Sequence, residues 1–198
     1  MIALFPLNIV LFPGGPLPLR IFETRYIDMV RSCMRESSEF GVVLIREGYE
    51  AERVQGSAQI FEVGSTAQIV DFHQLADGLL GLSCVGRRRF RIERRSLQAD
   101  GLNLAEVAWL PAEPTVPVPS HHAHLSELLR NVLPQLGEGY TGIAMRLSDA
   151  AWVGHRLAEI LPIPGSDKQA CLELDDPLAR LDFLSPYAAV PSAPTSAA

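Results

Sequence analysis

Several groups of residues in this 198-residue chain have types and spacings that chemistry could use. The string Gly137-Glu138-Gly139-Tyr140-Thr141-Gly142 reproduces the G-x-G-x-x-G dinucleotide fingerprint, which needs a strand before it and a helix after it. A leucine-striped helix precedes it instead, so the string reads as a glycine-rich loop between helices. His121, His124 and Glu127 follow one another at steps of three on one helix. Such steps drift around the helix, and the group lacks further His or Cys partners for a metal. Together with His122 they read as a solvated first turn. His73 and His155 stand alone and read as surface or satisfied core positions.

Hydrolytic chemistry finds no footing either. Gly81-Leu82-Ser83-Cys84-Val85-Gly86 has one residue too many for a G-x-S-x-G nucleophile elbow and falls in a hairpin strand. The only lysine, Lys168, has neither a phosphate-cradling glycine loop nor a nucleophile nearby in sequence. Cys33, Cys84 and Cys171 form no C-x-x-C pair and sit in apolar periodic segments, so all three read as packing residues in a reducing cytoplasm. The expectation is therefore a non-enzyme with no catalytic residue, no metal and no cofactor.

Arg87-Arg88-Arg89-Phe90-Arg91-Ile92-Glu93-Arg94-Arg95 is the one dense basic run, with six arginines in nine residues. On a strand Phe90 and Ile92 face one way and Arg89, Arg91 and Glu93 the other, which leaves no aromatic on the basic face to stack a base. A formal net charge of -6 also argues against a general polyanion binder. A solvated, partly salt-bridged strand face is favoured, and RNA binding through Arg87, Arg88 and Arg91 is the alternative. The sixteen arginines against one lysine carry no functional reading at this level.

These residues need elements to hold them. The start of the chain is punctuated by Pro6, Pro13, Pro16 and Pro18, each of which fixes φ and removes a backbone donor, so it must consist of short extended pieces with forced bends. Phe22, Tyr26, Met29, Val30 and Cys33 form a helical stripe interrupted by Ser37 and Ser38. Phe40 to Ile45 reads as a buried strand, and Arg46 to Gly56 as a loop. Ile60 to Phe72 and Leu79 to Ile92 read as a long hairpin turning at Ala76-Asp77-Gly78, with one more strand over Leu104 to Leu110. Prolines 111, 114, 117 and 119 then mark a linker that forms neither helix nor sheet.

Past the linker the apolar period becomes helical. One helix carries Leu125, Leu129, Val132 and Leu136 with Ser120 as its cap, and a second carries Trp152, Val153, Leu157 and Ile160. A third opens on a Ser166 to Gln169 capping box, and a fourth at Asp176-Pro177. The expected organisation is a β-rich part over 1–110, a linker over 111–119, helices over 120–185 and a disordered Ala/Pro/Ser/Thr tail over 186–198. The apolar runs at the N-terminus are too broken by proline and asparagine for a signal peptide or membrane span.

Phe5-Pro6-Leu7, Leu11-Phe12-Pro13-Gly14, Pro18-Leu19-Arg20-Ile21-Phe22-Glu23, Arg25-Tyr26, Phe40 to Ile45, Gly64 to Ile69, Asp77-Gly78 and Gly86 to Ile92 together resemble the substrate-binding domain at the N-terminus of Lon proteases. The resemblance implies an α+β fold, a PUA-like β-pseudobarrel followed by a helical bundle. It also implies a stand-alone member that binds unfolded polypeptide or a protein partner, without the ATPase and Ser-Lys protease parts of Lon. In that family the arginine before the phenylalanine belongs to the signature, so Arg89 is expected to be structural and to pair with Glu23. No zinc-binding ligand domain of the cereblon kind is present, so no small-molecule degron function carries over. The binding groove is expected around Pro13, Gly14, Pro18, Phe22 and Tyr26.

Overall fold

The computed structural model describes residues 1–46 and 59–188. Six strands form one sheet: β1 (Ile2–Leu7), β2 (Pro16–Ile21), β3 (Phe40–Leu44), β4 (Val63–Gln74), β5 (Leu80–Leu97) and β6 (Asn103–Trp109), in the order β2-β5-β4-β3-β1-β6. Only β1 and β3 run parallel. β5 is long enough to serve two sets of neighbours, since its first half lies between β2 and β4 while its second half pairs with β6. Register shifts in the β4–β5 and β5–β6 ladders supply the bends that roll the sheet. β2 pairs on one side only, so the roll is a pseudobarrel and not a closed six-stranded barrel.

Helix α1 (Thr24–Glu36) plugs this roll with Tyr26, Met29, Val30 and Cys33. Tyr26 stacks on Phe5 with ring centroids 4.0 Å apart. Phe22, expected to begin the stripe, precedes the helix and is 68% exposed. Ser37 ends the helix in the left-handed region with φ 51. The expected hairpin forms with Gly78 at φ 85. Most of the Arg46 to Gly56 loop lies outside the described residues.

The helical part consists of α2 (Ala123–Val132), the short α3 (Gly137–Tyr140), α4 (Ala150–Ile160), α5 (Gly165–Glu173) and α6 (Pro177–Ala188). The G-x-G-x-x-G string is thus a short helical turn between helices. Leu125, Leu129, Leu157, Leu181 and Leu184 are fully buried in a cluster that also contains Val10, Phe12, Leu44 and Val63 from the β-rich part. Each such leucine contributes about 1.5–3 kcal/mol of burial, which short helices need because they are marginal alone. Among the described residues no helix is long and apolar enough to cross a membrane.

Two caps differ from expectation. Ser120 begins a 3-10 turn without a side-chain cap bond. Ser166 and Gln169 form no capping box, because α5 already begins at Gly165 and the buried Gln169 amide donates to the Val63 carbonyl of β4 at 3.0 Å. Asp176 does cap α6, accepting from the Leu178 amide at 2.9 Å. α6 continues through Pro186 to Ala188, past the expected start of the tail, and the rest of that tail lies outside the described residues. The proline segment is also more ordered than its composition suggests. Pro117 bridges Asp149, and the Val118 amide donates to the Ser148 carbonyl.

Within that segment Glu113 ties the two parts together. Its side chain is only 6% exposed, and it accepts from both Nη atoms of Arg180 at 2.7 and 2.8 Å and from His155 Nε2 at 3.1 Å. Arg89 of β5 lies 3.4 Å from the same carboxylate and donates to Asp175 and to the carbonyls of Leu172 and Leu174. The expected Arg89–Glu23 pair is therefore wrong; Glu23 pairs with Arg25 at 2.5 Å. Arg89 is on the face opposite Phe90, and the end of α5 covers it there while Arg91 and Glu93 stay exposed. Burial pushes the Glu113 carboxyl up, yet the bonds from His155 and Arg180 outweigh it and hold it at about 2. Burial lowers His155 to about 4, so its neutral ring donates to Glu113.

Replacing Glu113 with Gln strands the Arg180 charge in the interior, and we expect a loss of about 3–5 kcal/mol in urea unfolding at neutral pH. Because Glu113 is ionised in the folded chain down to about 2 and ordinarily titrates near 4.5, its stabilisation is present above that value and lost on acidification. The stability gap between wild type and Glu113→Gln should therefore narrow between these two pH values; a constant gap contradicts the assignment.

Candidate functional site

The most developed apolar cavity, about 550 Å³, lies between β1, β2 and the start of α1. Its volume is in the range that accepts a few side chains. Phe5, Pro6 and Leu7 form one wall, Pro18 to Ile21 the other, and Phe22, Tyr26 and Ile45 the floor and rim. Successive strand side chains point to opposite faces, so a wall made of consecutive residues is a strand edge. The pairings agree. Among the described residues β1 pairs with β6 only through Ile2, Ala3 and Leu4, so Phe5 to Leu7 have only β3 beside them, and β2 has only β5. Two half-unpaired edges thus face one cleft.

Charges around the cleft are paired. Arg25 binds Glu23 and donates to the Gly101 carbonyl at 3.0 Å, and Arg20 binds Asp77. Pro6 and Pro18 lack the N–H that would otherwise project into sheet ladders, which protects these edges against pairing with other copies while their carbonyls remain.

Of the residues expected in the groove, Pro18, Phe22 and Tyr26 line this cleft. Pro13 and Gly14 do not. Their carbonyls accept from Arg156 of α4 at 3.0 and 2.6 Å, and Gly14 N–H donates to the Gly86 carbonyl at 2.8 Å. β5 passes so close there that a Cβ on Gly86 would lie 2.1 Å from the Phe12 carbonyl oxygen. That loop is a docking surface for the helices. Arg156 is held in turn by Glu159 at 2.6 Å. Burial pushes the Glu159 carboxyl up to about 7, against the pull of Arg156, Tyr140 and Lys168. Sequence reasoning missed Phe5, Leu7, Leu19 and Ile21 as wall residues, although prolines inside two apolar strands were an available sign of free edges.

Most arginines of the strand have side-chain partners, carboxylates for Arg91 and Arg94 and neutral amides for Arg87 and Arg95. Arg87 donates to Gln68, Arg91 lies 4.0 Å from Glu62, Arg94 lies 3.6 Å from Glu106, and Arg95 donates to Asn103. Arg88 packs over the Trp109 ring at 4.1 Å, and Trp109 pairs with Phe90 across the β5–β6 ladder, so this aromatic lies on the Phe90 face and not beside Arg89 and Arg91. Arg89 departs from the expected solvated face altogether.

His155 is a satisfied core histidine and His73 an exposed residue of β4. His122 departs from the expected solvated turn. It is buried against α6 and bonds Asp182 at 2.7 Å. The three cysteines are buried, and burial raises the thiols of Cys84 to about 12 and Cys171 to about 11, with Cys33 raised as well.

A pseudobarrel capped by one helix, clasped by a helical bundle and grooved between two strand edges defines the class of domain. The family model for the ATP-dependent protease La (LON) substrate-binding domain matches residues 1–187, and the chain belongs to that family. The crystal structure of a Lon N-terminal domain protein from Xanthomonas campestris is 37% identical, covers 93% of this chain and 96% of that one, and superposes with a TM-score of 0.76. Lon protease 2 of Myxococcus xanthus is 27% identical over 93% of this chain, and protein cereblon of Xenopus tropicalis 28% identical over 64%. The chain spans about a quarter of the length of these two relatives, 23% and 27%.

The thiols give a direct check on the packing. A thiolate is the reactive form, and raised, buried thiols withhold it. Ellman's reagent at pH 8 should find essentially no reactive cysteine in the folded chain and all three after denaturation; rapid labelling of Cys84 in the native state contradicts the burial described here.

Proposed function

We propose that this chain is a non-catalytic polypeptide-binding module that takes an extended, partly unfolded segment into the cleft between β1 and β2. The observation that carries the reading is the pair of half-unpaired edges facing one apolar cavity. An extended segment there can donate its own N–H groups to edge carbonyls such as those of Pro6 and Pro18, while alternate side chains enter the cavity. Main-chain bonding tolerates many sequences, and paired charges at the rim leave apolar burial to set the affinity. Phe22, exposed beside the entrance, is the outer clamp. Membership of a substrate-binding family supports this reading. The reducing cytoplasm suggested by three unpaired thiols is the compartment in which such a module would meet its clients.

RNA binding through Arg87, Arg88 and Arg91 has one observation in its favour, the Arg88–Trp109 stack. Against it stand the internal partners of the neighbouring arginines and the net charge of -6.

A fluorescently labelled, unstructured apolar peptide provides the test. Phe22→Glu and Leu19→Asp should each weaken binding by about tenfold or more, since either places a charge where apolar surface is buried. Phe22→Glu should leave the melting temperature essentially unchanged. An Arg87→Ala/Arg88→Ala/Arg91→Ala triple variant should bind the peptide as wild type does. Unaltered peptide affinity in both groove variants would remove the cleft from the proposal, and salt-sensitive RNA binding lost in the arginine variant would establish the other reading.

A further inference from the structure

The turn that opens the helical part brings together residues that the sequence scatters. His121 and His122 lie in the 3-10 segment Ser120–His122, and Asp182 comes from the middle of α6, sixty positions later. Each of the three offers a ligand atom within 4.8 Å of the other two. The two imidazole rings lie 4.2 Å apart between centroids. His122 is only 4% exposed; Asp182 takes one of its ring nitrogens at 2.7 Å, and the other, Nδ1, is buried with no partner among the described residues. Asp182 Oδ1 and His122 Nε2 thus already face one another, with His121 beside them.

We propose that His121, His122 and Asp182 form a binding site for a divalent transition-metal cation of the zinc, cobalt or nickel type. Two imidazoles with one carboxylate are the donor set such borderline cations prefer, whereas magnesium and calcium select oxygen ligands. Asp182 and His121 are exposed, so the cation has an open path and water completes its coordination. The three ligands come from two elements, so the bound cation fastens α6 to the entrance of the helical part. That connection is distinct from the Glu113 network and from the cleft. Because the cation binds only the folded arrangement, its free energy of binding adds to folding stability.

The chain without any polyhistidine tag is titrated with zinc chloride by calorimetry and with cobalt chloride by visible absorption, and its melting temperature is recorded with and without zinc. We expect one cation per chain, a cobalt spectrum with ligand-field bands, and a higher melting temperature with zinc. His121→Ala and Asp182→Asn should each weaken binding by about tenfold or more and abolish the thermal gain. Both residues are exposed, and far-UV circular dichroism verifies that the variants are folded. His124, whose Nε2 lies 3.3 Å from Ser185 Oγ, serves as the control, and His124→Ala should bind as wild type does. No binding, a stoichiometry other than one, or equal weakening by His124→Ala overturns the proposal.

Discussion

Buried guanidinium groups impose the constraint on which the rest of this structure depends. Arg89, Arg156 and Arg180 are each buried, and a buried charge is tolerable only if its hydrogen-bonding capacity is met. Carboxylates answer part of that demand and backbone carbonyls most of the remainder; Arg156 Nε alone of these guanidinium nitrogens is buried without a partner among the described residues. Arg180 donates to the Cys171 carbonyl and Arg89 to those of Leu172 and Leu174, all at the C-terminal end of α5. Helix ends leave such carbonyls without intrahelical partners and carry partial negative charge. One set of cations thus caps a helix, anchors the proline segment through Glu113 and binds β5 to the bundle. Lysine could not substitute, because a single ammonium lacks the planar fork that reaches several acceptors at fixed angles. The skewed arginine content acquires a structural purpose at these three positions.

This network also explains why the proline-glycine loop and the groove are separate. Arg156 spends its donors on the carbonyls of Pro13 and Gly14, which holds the loop against α4. With that loop committed to docking, the cleft is left to the opposite side of β2, where β1 loses β6 as a neighbour. The helices therefore act on the groove indirectly. They fix the loop that precedes β2, and so the position of one of its two walls.

Much of the fold was legible because local rules and tertiary structure agree. Tyr26, Met29, Val30 and Cys33 have a helical period and do fill the roll, and Asp77-Gly78 turns the hairpin its chemistry demands. The leucine stripes of α2, α4 and α6 likewise meet in one core. Disagreements fall where distant segments compete for the same group. Gln169 leaves its capping role because Val63 offers a buried carbonyl, Arg89 turns to Asp175 and not to Glu23, and His122 enters the interior because α6 packs over it.

Periodicity, turn chemistry and proline placement are short-range properties, and for this chain they determined the α+β class, the elements and the family resemblance. The cleft, the Glu113 network and the His–Asp cluster arise from pairs of residues tens to more than a hundred positions apart. No local preference encodes which edge of β1 is left unpaired, or which carbonyls meet a buried arginine. Those outcomes were decided only when the sheet rolled and the helices closed on it, because burial then made the charged groups of distant segments compete for the partners within reach.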